Sequence, residues 1–288
     1  MRLINEAKYD IRTLQLRLLP VLQSIDKVCK EHHLRYYLCA GTMLGAVRHR
    51  GFIPWDDDVD ICMPRPDYEQ LMAHCSEWLP HPMEIIHPNN RPDYPYPFAK
   101  IIDGSTTVVE RPDFLFPEGI YIDIFPIDGI SSDSKQQRRH IKTYKFWRHL
   151  LFLRGRDPFK HGHGLRSWWP LLLHQVFSMK WLQNKVNSIM QTYDYESSEM
   201  VIDHDFNERG IMPKALLGEP QPYEFEQHQF LGVEDYDGYL THLYHDYMTL
   251  PPENKRAQHC FYYIDFDTPF RTFVNEGGME KLKHQTKA

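Results

Sequence analysis

The sequence predicts an α/β fold, a sheet core flanked by helices and carrying a helical, basic insert. Three observations predict it. Over roughly the first 130 residues, short apolar stretches alternate with stretches of helical period. Two of the apolar stretches hold carboxylates in their interior, at Asp60 and Asp123. Between Lys135 and Asp194 the composition turns helical, cationic and rich in tryptophan. With 42% apolar and 25% charged residues in 288, the chain has enough apolar surface for a sizeable core, which excludes wholesale disorder.

The elements follow in order. Apolar residues recur at 11, 14, 18, 22, 25 and 28, steps of three and four that predict an amphipathic helix covering a sheet. Arg35–Ala40 is rich in β-formers and runs into a glycine turn that opens a helix over Gly41–His49, closed by Gly51 and Pro54. Val59–Met63 reads as a strand and Asp67–Trp78 as a helix. Six prolines between Pro80 and Pro97 confine that segment to a loop or a sheet edge. Ala99–Asp103 and Thr106–Glu110 read as a strand pair joined at Asp103-Gly104, a hairpin signal. Gly119–Pro126 is a further strand. The helical stretch 135–194 is broken near Arg154–Gly164 by Pro158 and three glycines. Phe225–Val233 predicts strands, and Tyr236–Tyr247 a helix. The domain boundaries expected are an α/β core at 1–134, the helical insert at 135–198, and an α+β part packed on the core at 199–288.

No run of about 18 apolar residues is present, and the N-terminus carries charges in place of a signal peptide's apolar core. The expected location is the cytoplasm, including the inner face of the plasma membrane. Five cysteines without a CxxC pair suit single thiols in a reducing compartment better than zinc or disulfides.

The densest chemical feature is Trp55-Asp-Asp-Asp-Val-Asp-Ile61. Four carboxylates in five positions repel one another, and a divalent cation is the natural neutraliser. In a strand, residues two apart share a face, so Asp58 and Asp60 converge while Val59 and Ile61 are buried beneath. Mg²⁺, or Mn²⁺, accepts one or two carboxylates and keeps room for water and phosphate oxygens. The plainer reading is an acidic loop capping the next element, but alternation of acid with Val and Ile is not needed there. Asp123 lies between Ile122 and Ile124, where a lone buried carboxylate is costly. If its strand neighbours Val59–Met63, three carboxylates face one cleft, an arrangement suited to phosphoryl or nucleotidyl transfer. Gly41 and Thr42 stand at a strand-to-helix junction whose amides suit a phosphate, and Thr42 could also cap the helix. No Walker motif is present. Arg48, His49, Arg50, Arg65 and Lys100 are the nearby cations. Lys100 lies in an apolar strand, where the alternative is an edge lysine that snorkels to water.

These residues resemble the LicD family. The resemblance rests on Tyr37–His49 and Gly51–Ile61, on Met63-Pro-Arg65 with Asp67-Tyr68, on Ala99–Ile101 and Ile120–Asp128, and on Tyr247–Arg256 with His259. It implies a nucleotidyltransferase-like fold, with a mixed β-sheet core flanked by helices. In it, a Gly-Thr turn at 41–42, a D-x-D strand at Asp58 and Asp60, and a third acid at Asp123 make the metal and catalytic site. It further implies transfer of phosphocholine or a related phospho-alcohol from a CDP-linked donor to a hydroxyl of a glycan, teichoic acid or lipopolysaccharide. Distant relatives, the fukutin-type enzymes, pass on ribitol phosphate. Substrate-binding roles are implied for Gly41, Thr42, Arg48, His49 and Lys100, and Arg256 and His259 would reach the site from the C-terminal part.

Residues 135–185 hold twelve Lys/Arg, one acid and four of the six tryptophans, a local charge of +11 against −17 for the remainder. Such a segment suits an anionic membrane surface or a lipid-linked glycan. The competing expectation is a helical subdomain whose tryptophans form its own core. Nucleic acid is not expected, since no recognition module accompanies the cations. Two other functions compete with the phosphotransferase: a nucleotidyltransferase using an NTP, and a non-catalytic glycan-binding protein at the membrane surface.

Overall fold

The period read at 11–28 is realised as α1 (Ile11–Glu31) in the computed structural model, which describes residues 9–111, 116–159, 168–256, 258 and 261–285. Asp10 caps the helix by accepting the Thr13 amide at 2.8 Å. Its buried stripe of Leu14, Leu18, Val21, Leu22, Ile25 and Val28 packs on the sheet. Each of these side chains contributes about 1.5–3 kcal/mol by leaving water.

The sheet is mixed, with ten strands among the described residues. Its main path runs β10 (Tyr263–Asp265), β4 (Ala99–Val109), β5 (Glu118–Ile130), β2 (Asp60–Pro64), β1 (Tyr37–Leu38), β9 (His228–Gly232) and β8 (Gln221–Phe225). β3 (Met83–Ile86) joins β4, and β6 (Met200–Asp203) pairs with both β5 and β7 (Ile211–Pro213). α2 (Ala40–His49) follows β1, and α3 (Arg65–Trp78) follows β2. The proline-rich segment supplies β3, which is paired on one side only, to β4.

β5 is the axis. Ile120, Ile122 and Ile124 are fully buried on one face, and Tyr121, Asp123 and Phe125 alternate onto the other. β2 runs parallel beside it with Asp60 opposite Asp123, and β4 runs antiparallel on the other side with Lys100 opposite Asp123. Asp60, Asp123 and Lys100 therefore form one cross-strand row on one face.

The hairpin expected at Asp103-Gly104 is not formed. β4 continues through it as one strand, with a register shift against β5 between Asp103 and Val108. The bulge is held by Ser105, whose amide and hydroxyl donate to Asp103, and by the Gly104 amide on Pro82 O at 3.0 Å. It seats on Gly119, where a Cβ would come within 2.0 Å of Asp103 O. The Asp-Gly pair bends the strand so that β3 pairs before the bulge and β10 after it.

The 135–198 stretch contains α4 (Ser134–Gly155), α5 (Trp168–Val176) and α6 (Met179–Met190), with a separate apolar cluster of Tyr144, Leu151, Leu182 and Val186. The C-terminal part adds the β8–β9 hairpin, α7 (Tyr236–Tyr244), α8 (Phe270–Asn275) and α9 (Gly278–Gln285). No described helix is long and apolar enough to cross a membrane.

Candidate functional site

The carboxylate row begins where β2 leaves an acidic loop. Asp56, Asp57 and Asp58 precede the strand, and one oxygen from each lies within 4.8 Å of the others. The loop is held from several sides. Buried Gln15 of α1 donates to Asp56 O at 2.8 Å and Ile53 O at 3.3 Å, and the Asp56 amide closes a turn on Ile53 O at 2.9 Å. Glu226, in the β8–β9 turn, accepts the Phe52 amide at 3.2 Å and is bridged to Arg12 at 2.6 Å. Tyr9 donates its hydroxyl to Asp57. A loop fastened this way keeps like charges close together at a cost in stability that a bound cation would relieve.

Asp60 and Asp123 face each other across adjacent parallel strands. Burial pushes the Asp60 carboxyl well above the usual carboxylate range, and Asp58, Asp123 and Asp56 push it the same way. Burial does the same to Asp123; Lys100 pulls it down, while Glu110 and Asp58 add to the rise. Asp123 Oδ1 is buried and has no hydrogen-bond partner. Hard oxygen donors, mutual repulsion and an unpartnered buried oxygen are features that a divalent cation would fit. The close carboxylate group among the described residues is Asp56, Asp57 and Asp58, with Asp60 at the start of β2 and Asp123 opposite it on β5.

Gly41 and Thr42 lie within the first turn of α2, which begins one residue earlier than expected. The left-handed turn is made by Ala40, at φ 49°. Gly41 leaves room for the neighbouring acid: a Cβ there would come within 2.9 Å of Asp56 Oδ2, so the Asp56 carboxylate would have to shift. Thr42 does not cap the helix. Cys39 is the N-cap residue, with no side-chain bond, and Thr42 Oγ1 accepts the Asp60 amide at 2.8 Å. The hydroxyl, expected to cap the helix or meet a phosphate, instead fixes the backbone of Asp60. Thr42→Val is predicted to lower stability by about 1–2 kcal/mol by leaving that buried amide unpaired, while Thr42→Ser stays near wild type. Urea denaturation of the two variants checks this.

The cations are distributed differently from one another. Arg48 Nη1 donates to Tyr247 O at 2.7 Å, which brings the C-terminal segment onto α2. His49 meets Trp55 edge-on at 6.3 Å, and partial burial with Arg48 nearby lowers its pKa. Arg256 lies over the other residue of this group, its guanidinium 4.4 Å from the Trp55 ring centre. His259 falls outside the described residues. Arg50 is exposed at the α2 C-cap, and Arg65 is committed to a buried pair with Asp128, at 2.6 Å.

Lys100 does not snorkel. It is 1% exposed, donates to Glu118 at 2.7 Å, and sits 3.4 Å from the Tyr121 ring centre and 4.7 Å from that of Tyr96. Burial opposes its charge, but Glu110 and Glu118 outweigh burial and hold it protonated. Tyr96 and Tyr121 both donate their hydroxyls to Glu110. Lys100 therefore acts on Asp123 from within the sheet as a fixed neighbouring charge.

Sequence reasoning passed over three contributors. Strand parity selects 58 and 60 and passes over Asp56 and Asp57, yet β2 begins only at Asp60, and residues 56–59 are irregular, where parity has no meaning. Tyr244 of α7 lies near Asp60, and its own pKa is raised by burial and then by Asp60. No local pattern in the sequence joins α7 to β2.

Residues 33–163 match the LicD/FKTN/FKRP nucleotidyltransferase domain. The chain is 29% identical over 266 residues to the lipopolysaccharide cholinephosphotransferase LicD of Haemophilus influenzae, a match covering 88% of this chain and 96% of that protein. Shorter matches, both 38% identical, join it to an uncharacterized protein of Rickettsia typhi over 60 residues (20% of this chain, 19% of that protein) and one of Rickettsia prowazekii over 52 residues (18% and 20%).

Proposed function

We propose that this chain, which matches the LicD/FKTN/FKRP nucleotidyltransferase domain over residues 33–163, is a phosphotransferase moving phosphocholine from CDP-choline to a hydroxyl of a lipopolysaccharide. The observation that carries the reading is the Asp60–Asp123 pair on adjacent strands, with Asp58 beside it and Asp123 Oδ1 unpartnered. The full-length similarity to the Haemophilus influenzae enzyme supports the choice of phosphocholine and of lipopolysaccharide.

Asp58 and Asp60 would hold Mg²⁺, which when bound supplies positive charge to the donor's pyrophosphate oxygens. The amide-rich start of α2, with Gly41 close against Asp56, receives a donor phosphate. Asp123, as the carboxylate that Lys100 helps to keep ionised, takes the proton of the acceptor hydroxyl, its raised pKa making it the stronger base. The acceptor oxygen then bonds to the phosphorus that bears choline, the bond from that phosphorus to the CMP oxygen breaks, and CMP leaves with the electron pair. Arg48 and Arg256, brought to the Trp55 side by the 247–256 segment, offset the charge of the departing CMP. Lys100 keeps the row from becoming too negative without touching substrate.

The test is a donor panel of CDP-choline, CDP-ethanolamine, CDP-ribitol, CDP-glycerol, CTP and UTP, supplied with Mg²⁺ and acceptor. CMP release from CDP-choline is the expected result. Pyrophosphate release from CTP or UTP would replace this reading with nucleotidyl transfer, in which the other side of the pyrophosphate is attacked.

A further inference from the structure

The helices of the insert present two kinds of surface. Around α4 and α6 part of the aromatic surface is used internally: Trp147, with Phe177 from the link between α5 and α6, packs on the local apolar cluster. Trp181 stacks on Phe177 at 5.1 Å, although Trp181 and Phe146 remain 46% and 57% exposed. The cations of α4 partly meet acids of the C-terminal part, Lys145 with Glu208 at 2.7 Å and Arg148 with Asp205 at 2.9 Å. α5 is different. Only Leu173 of its nine residues is buried, while Trp168, Trp169, Leu172 and Val176 are 69%, 79%, 48% and 60% exposed. The helix contains no Asp, Glu, Lys or Arg. Scattered apolar residues on a surface need no explanation, but four large ones on one short helix, two of them adjacent indoles, do.

Beside α5 lies a cavity of about 400 Å³, where Arg154, Arg156 and His174 meet Phe116 and Met179. His174 Nε2 is buried there without a hydrogen-bond partner. The surrounding stretch, 135–185, carries +11. Indoles and aliphatic side chains beside arginines are the composition of a surface that enters the headgroup layer of an anionic bilayer.

We propose that α5, together with the Arg154–Arg156–His174 rim, docks this protein on an anionic lipid bilayer, with Trp168 and Trp169 at headgroup depth and the arginines on lipid phosphates. Charge complementarity selects this occupant. A second copy packed by the same surface about a two-fold axis would bring the same excess of cations against these cations, whereas an anionic leaflet supplies the missing sign. The inference rests on the proposed function only in placing the enzyme where a lipid-anchored acceptor is found; the docking itself needs neither donor nor acceptor.

The test is co-sedimentation of the full chain with phosphatidylcholine vesicles, with and without phosphatidylglycerol, at low and high salt. Binding that requires phosphatidylglycerol and weakens with salt is expected, together with a loss of about tenfold or more in Trp168→Ala/Trp169→Ala. Both side chains are exposed, so the variant's thermal midpoint and its CDP-choline-induced thermal shift stay at the wild-type value. If that thermal shift is absent from both proteins, the functional reading fails while the docking result stands. No phosphatidylglycerol-dependent binding at low salt would overturn the proposal. So would undiminished binding by the double variant, or Trp-dependent dimers in light scattering without vesicle binding.

Discussion

Asp60→Asn is expected to abolish turnover, by about a thousandfold or more, while leaving the fold intact or slightly more stable. Asp60 sits in the row with Asp123, and burial, then Asp58 and Asp123, raise its pKa. A carboxyl whose folded pKa exceeds its unfolded value destabilises the fold increasingly as pH rises from about 3.9 toward that folded value. An amide of the same shape removes this cost, and the Thr42 hydroxyl still receives the residue 60 amide. A thermal melt with and without Mg²⁺ separates the two roles. Mg²⁺ should raise the wild-type midpoint and leave that of the variant nearly unchanged. A variant that unfolds, or one that keeps wild-type turnover, contradicts the assignment.

Arg65→Met should destabilise the protein by about 3–5 kcal/mol, the usual result of removing one member of a buried pair. Arg65 stands where β2 passes into α3, and its guanidinium grips Asp128 of β5 with two bonds, at 2.6 and 2.7 Å. The pair ties together the strands that carry Asp60 and Asp123, so turnover should fall as well. Arg65→Lys recovers only part of the loss, because an ammonium cannot make the forked contact. The pH dependence has a definite sign. Burial would raise the Asp128 pKa, but Arg65 and His204 outweigh it and hold the carboxyl below the usual range. The stabilisation is therefore complete above the unfolded value of about 3.9 and is lost as pH falls through the lower folded value. Without Arg65, burial prevails and the carboxyl rises. The stability gap between wild type and Arg65→Met should be widest near neutral pH and narrow below about pH 4. Urea denaturation across that range measures it.

Much of this arrangement is legible in the sequence because strand chemistry has period two. Ile120, Ile122 and Ile124 against Tyr121, Asp123 and Phe125 declare a strand with one acid facing a cleft, and Asp60 ahead of Ile61 declares its neighbour. Adjacency of the two strands was a condition in the sequence and is a register in the structure. The failures also have physical causes. Asp103-Gly104 is a strong local turn signal, but its outcome depends on Gly119, which lets the β4 bulge lie close against β5. Thr42 looked like a helix cap because caps are local, whereas its partner is the amide of residue 60. Lys100 could not be told from an edge lysine until Glu118, Tyr96 and Tyr121 were seen around it. In the insert, tryptophan occurs in all three helices. Only packing distinguishes Trp147, turned toward the local cluster, from Trp168 and Trp169 on the outside.

The most direct test follows label from CDP-[methyl-¹⁴C]choline into lipopolysaccharide, with CMP measured in the same reaction and Asp60→Asn run in parallel. The wild-type protein is expected to release one CMP for each phosphocholine transferred, in dependence on a divalent cation, and the variant to give neither product. Label transfer by Asp60→Asn at the wild-type rate would contradict it, as would wild-type protein that binds CDP-choline and acceptor yet releases no CMP.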